Sequence, residues 1–107
     1  MDVDKETEQQ IQELQMLEQT LQSLVMQKQQ LELESSEIEN ALTEISKTKK
    51  DTYKVIGQIM IACEKEDLEK ELSEKKKLIA LRLKTLDSQE VQLSEKSEEL
   101  RKTVLAK

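Results

Sequence analysis

Leucine or isoleucine stands at position 72 and again at 79, 86, 93 and 100. A seven-residue repeat kept this strictly leaves few folds open. In an α-helix, side chains three and four positions apart stack on the same side, so the repeat lines one face. The full series is Leu72, Lys76, Ile79, Leu83, Leu86, Glu90, Leu93, Ser97, Leu100 and Val104. The first half repeats the pattern with Leu14, Leu17, Leu21, Leu24, Lys28, Leu31, Ser35, Ile38, Leu42 and Ile45. Continued backwards it meets Gln10, Thr7 and then Val3, so the seam weakens towards the N-terminus.

Composition alone would also allow disorder. The 107 residues are 37% charged and 1% aromatic, with one glycine and no proline. Such a chain cannot build an ordinary globular core and is either a long helical structure or unfolded. The sustained heptads decide for helix, with charged residues on the solvated positions. The length allows one domain at most. A single domain over 1–107 is expected, with a first helix over about 5–50, an insert over 51–63 and a second helix over 65–107.

Charge narrows the function classes. Seventeen Lys and Arg stand against 23 Asp and Glu, for a net charge of −6, and the signs are interleaved. A nucleic-acid surface would need a basic stripe, so no nucleic-acid partner is expected. The local clusters Lys47, Lys49, Lys50, Lys54 and Lys75, Lys76, Lys77 read as solvated helix ends and faces. One cysteine cannot form an internal disulfide, which fits a reducing compartment. No apolar run approaches the ~20 residues of a membrane span, and the start, MDVDKETEQQ, lacks the pattern of a signal or transit peptide. A cytoplasmic protein without membrane partners is expected.

The insert, DTYKVIGQIMIAC, is unlike the rest. It holds the only aromatic (Tyr53), the only glycine (Gly57) and the only cysteine (Cys63). Residues 53–56 and 59–62 are β-favouring runs around Gly57-Gln58, and glycine at the first central position suits a two-residue type II′ turn. Val55 would then face Met60, and Tyr53 would face Ala62. Arms of roughly 45 residues, about 65 Å each, flank it. If the insert reverses the chain, the fold is mainly α: a long antiparallel helical hairpin, or coiled coil, with a short β-hairpin between the two helices. Ile45 then lies near Leu72, and Lys28 opposite Glu90. These two polar seam residues are expected to pair and fix register; the alternative is that each reaches out to water.

A lone two-stranded hairpin is marginal in water, and this one would bare apolar edges. It needs covering. Hairpins from several copies could join edge to edge and close an intersubunit β-barrel. Tyr53, Val55, Ile56, Gly57, Ile59, Met60 and Ile61 are the expected assembly residues.

On these residues the chain resembles the prefoldin family, in particular its β-type subunits. Tyr53-Lys54-Val55-Ile56-Gly57 is similar to the family's aromatic-Lys-x-x-Gly strand, and Gln58-Ile59-Met60-Ile61 to its apolar second strand. The Leu42 to Ile45 run and the Gln89-Glu90 pair fit the flanking helices. Ala62-Cys63 departs from the Val-Lys that often ends the second strand. The resemblance implies a hexamer of two α-type and four β-type subunits with a double β-barrel platform. It implies an ATP-independent chaperone that holds non-native proteins and passes them to a group II chaperonin, without cofactors.

In such a hairpin both chain ends lie at the tip away from the insert. Met1, Val3, Ile11 and Met16 on one arm and Val104, Leu105 and Ala106 on the other are the expected client contacts. A weak seam frays there, and methionine repacks easily against irregular partners. The competing reading is that Val3 and Val104 only close the seam. Leu33, Leu78 and Leu81 lie off the seam and are expected to pack on neighbouring subunits or to sit exposed.

An enzyme is not expected. The chain has no histidine and no glycine-rich phosphate loop, and Cys63 has no base beside it in sequence. No cysteine–histidine cluster is available for a metal. The rival to the chaperone is a structural or tethering coiled coil. A tether would have no use for the mid-chain hairpin. A third reading is a subunit of a specialised prefoldin-like scaffold.

Overall fold

The structure, a computed structural model, describes residues 4–106. Two long helices flank a short hairpin: α1 (Lys5–Lys47), β1 (Thr52–Ile56), β2 (Ile59–Cys63) and α2 (Lys65–Leu105). Asp4 caps α1, its Oδ1 accepting the Thr7 N–H at 2.7 Å. Glu6 and Glu8 in the first turn and Lys47 in the last match the helix dipole, as Glu66, Asp67 and Lys102 do in α2.

Helix α1 stops at Lys47, short of the boundary expected near 50. Thr48 N–H still bonds to the Glu44 and Ile45 carbonyls. Beyond it the Thr48 hydroxyl accepts the Lys50 N–H at 3.2 Å, an alternative to a further helical turn. The bared carbonyls of Ser46 and Thr48 accept bonds from Lys65 Nζ at 3.3 and 3.4 Å. The first residue of α2 thus helps to cap the end of α1.

Contacts divide the chain into two compact units. The first joins segments 1–30 and 84–107, and the second is segment 31–83. In the first, Leu17, Leu24 and Leu86 are the buried apolar side chains, with Leu86 only 1% exposed, and Ser97 is buried as well. The α1 and α2 segments of this unit are tied by Glu13–Lys96 (3.6 Å) and Glu18–Arg101 (2.7 Å). In the second, Ile38 and Ile79 are buried, and Glu34–Lys75 (3.2 Å) and Glu39–Lys76 (3.7 Å) link the helices. Among the described residues, every buried one falls on the heptad seams. The ion pairs are exposed, so each contributes at most about 1 kcal/mol and serves register more than stability.

The hairpin has the expected register, with Val55 opposite Met60 and Tyr53 opposite Ala62. Gly57 has φ 60°, and no other described residue has a positive φ, Gln58 included. Positive φ at the first central position alone is the type II′ pattern, whose twist matches that of the strands. At the open end Thr52 Oγ1 donates to the Cys63 carbonyl at 2.7 Å, and Cys63 Sγ lies 3.9 Å from the Thr52 carbonyl.

Candidate functional site

The hairpin has two faces, because side chains alternate along a strand. The pairing puts Tyr53, Val55, Met60 and Ala62 on one face, and Thr52, Lys54, Ile56, Ile59, Ile61 and Cys63 on the other. Thr52, Lys54 and Cys63 are half-buried. Lys54 Nζ pairs with Glu71 of α2, so this second face turns its base towards that helix. Tyr53, Val55, Ile56, Ile59, Met60 and Ile61 are all exposed, at 45–68%. Two five-residue strands thus carry six large bare side chains, and the sheet has no third strand among the described residues. Both edges keep unpaired backbone donors and acceptors, which is a template for strand addition.

The residues expected to touch clients fall into three groups. Met16 (68% exposed) and Leu105 (77%) present their side chains to solvent. Val104 is half-buried on the seam of the first unit, and Ile11 is half-buried beside the seam position Gln10. Met1 and Val3 lie outside the described residues.

In the first unit Lys28 pairs with Glu90 at 2.7 Å, as the seam register implied, and also with Asp87 at 2.5 Å. Its side chain is mostly covered. The hydrogen bond to Asp87, then that to Glu90, raises the Lys28 ammonium well above its ordinary pKa, against a smaller opposing effect of desolvation. Asp87 was not anticipated, although its place three residues before Glu90 on the same helix face is a readable signal. The pairs Lys54–Glu71 and Lys65 with the α1 carbonyls were also missed. They depend on how the hairpin folds back, which no local spacing records.

No helix among the described residues is long and apolar enough to cross a membrane. Among those residues no group of three or more His, Cys, Asp or Glu side chains could hold a metal ion.

Comparison with known proteins agrees with this geometry. The family described as Prefoldin subunit matches residues 8–107. Prefoldin subunit beta of Archaeoglobus fulgidus is 36% identical over 88 residues, covering 80% of this chain and 76% of that protein. The Sulfolobus acidocaldarius prefoldin subunit beta is 29% identical over 101 residues, 92% of this chain and 81% of its own. Among solved structures, the prefoldin beta subunit from Thermococcus strain KS-1 superposes with a TM-score of 0.84 at 31% identity, over 98% of this chain and 94% of that one. With its two helices, its intervening hairpin and a family match running from residue 8 to the last, this chain belongs to the prefoldin family of chaperone subunits.

Proposed function

We propose that this chain is a β-type subunit of a hetero-hexameric, ATP-independent holding chaperone, which captures non-native proteins and delivers them to a group II chaperonin. One observation carries the reading: a two-stranded sheet with six large exposed apolar side chains stands between two long helices. A hairpin this bare gains most by joining others in a closed barrel. The partners are α-type prefoldin chains and further copies of the β-type chain. Tyr53, Val55, Ile56, Ile59, Met60 and Ile61 make the joint, and Gly57 sets its turn. The compartment is the cytoplasm, which suits a chain with a single cysteine.

Client contact belongs to the free helix ends. Met16 and Leu105 are the exposed pair available there, with Ile11 and Val104 joining as the last turns fray, and Met1 and Val3 are proposed as further contacts. Each contact is weak, and several arms acting together raise the avidity while leaving release easy. The test is aggregation of a chemically unfolded protein diluted into buffer, with the reconstituted complex present and no nucleotide added. The complex should suppress light scattering. The double variant Met16→Ser/Leu105→Ser should assemble normally and protect less. A correctly assembled complex that protects nothing would favour a structural coiled coil.

A further inference from the structure

We propose that the outer walls of the second unit form a head-to-tail contact between two copies of this chain, with the acidic outer face of α1 in one copy resting on the basic outer face of α2 in the next. The charges of the two segments are sorted by sign. Residues 31–46 of α1 hold Glu32, Glu34, Glu37, Glu39 and Glu44 and no Lys or Arg. Residues 75–83 of α2 hold Lys75, Lys76, Lys77 and Arg82 and no Asp or Glu. Within one chain Glu34 pairs with Lys75 and Glu39 with Lys76. Glu32, Glu37 and Glu44 on one side, and Lys77 and Arg82 on the other, remain after that matching, and all are exposed.

Each set surrounds bare apolar side chains. Leu33 is 61% exposed on α1, and Leu78 and Leu81 are 66% and 63% exposed on α2. At 100° per residue, Leu33 lies about 200° around α1 from the seam residue Leu31, and Leu81 about 200° around α2 from Ile79. The two patches therefore look away from the seam they flank. An apolar centre with a charged rim is the composition of a protein contact. Apart from exposed Glu74, one turn before Leu78, the rim charges have opposite sign on the two patches, so each patch attracts the other more than its own kind. A second copy of the chain is the partner that supplies both. Because the two surfaces differ, the contact is heterologous, and it closes a ring or continues as a filament. It uses neither the β-hairpin nor the helix ends, so it stands apart from the barrel joint proposed above.

The experiment cross-links full-length chains in solution. One copy carries Leu33→Cys, the other Leu81→Cys, both on a Cys63→Ser background. A short thiol cross-linker should join the mixed pair well above a control pairing Met16→Cys with Leu81→Cys. Reversal of Lys77→Glu and Arg82→Glu in the second copy should lower the yield about tenfold. Adding Glu32→Lys and Glu37→Lys to the first copy should restore it, which a folding defect could not do. Raised salt should weaken the product. Mixed product no better than the control, or a yield that ignores charge reversal, overturns the proposal. Failure of this test would leave the hairpin-mediated assembly untouched, because no hairpin position other than Cys63 is altered and every sample shares that change.

Discussion

Gly57→Ala isolates one physical cause. Gly57 sits at φ 60°, where an L-residue is strained, and a Cβ built there meets nothing within 4 Å. Steric collision with neighbours is thus excluded, and only the backbone term remains. Holding an L-residue in such a region costs roughly 1–3 kcal/mol. Alanine also restricts the unfolded chain, which returns about 0.4–1 kcal/mol. The net loss is about 1–2 kcal/mol, or a factor of roughly 5–30 in the hairpin's opening equilibrium. Amide exchange of the β1 and β2 residues in the purified assembly reads that factor directly. The helical amides should not change, since the turn touches neither seam. D-alanine, introduced by semisynthesis, provides the control. It adds the same methyl group but accepts positive φ, so it should protect the hairpin slightly better than glycine does. Equal effects from both alanines, or no effect from either, would refute the account of the turn.

Further predictions concern the seam and its polar lock. Leu86→Ala should destabilise the folded chain by about 2–4 kcal/mol in urea unfolding, as expected for a fully buried leucine. Met26→Ala, at an exposed site, should stay within about 0.5 kcal/mol in the same assay. Folding raises the Lys28 pKa, so the stabilisation from its two carboxylates is complete below the ordinary lysine value of 10.5 and fades as pH rises above it. The difference in urea midpoint between wild type and Lys28→Met should accordingly be flat near neutral pH and change only in that alkaline range. In a double-mutant cycle, Lys28→Leu and Glu90→Leu should be non-additive, because Lys28→Leu strands the half-covered Glu90 carboxylate, whereas Glu90→Leu leaves Lys28 its bond to Asp87. Strict additivity would mean that the observed pair does not set register.

Much of the architecture was readable because the helices obey a short-range rule. A seven-residue period needs no knowledge of distant residues, and Leu17, Leu24, Ile38, Ile79 and Leu86, all on that period, are the buried core. The turn was readable for a similar reason, since one glycine between two β-branched runs leaves few choices. Lys28 and Glu90 were found by folding one seam back on the other, a global argument that needed only equal arm lengths. Where the account depended on three-dimensional bending, local sequence was silent. Lys54 looked like one more solvated lysine, yet it reaches Glu71, and Lys65 turns back to the end of α1. Helix α1 ends at Lys47, and just beyond it the Thr48 hydroxyl accepts the Lys50 N–H, a side-chain bond that the heptad pattern does not record. The helix-end residues divide because exposure depends on the angular position around each helix. Met16 and Leu105 lie off the seam and are exposed, whereas Val104 is half-buried on it and Ile11 is half-buried next to the seam position Gln10.

The central claim is that the bare hairpin exists to join this chain to others. Its most direct measurement is the native mass of the complex that the chain forms in its own cell extract, compared with that of a Val55→Lys/Met60→Lys variant. These two residues face each other across the strands on the fully exposed face. The account predicts a hexamer containing this chain together with longer prefoldin chains, and a variant that keeps its helices but falls out of that complex. A monomer or homodimer in the extract, or a hexamer indifferent to charges on the hairpin, would contradict it.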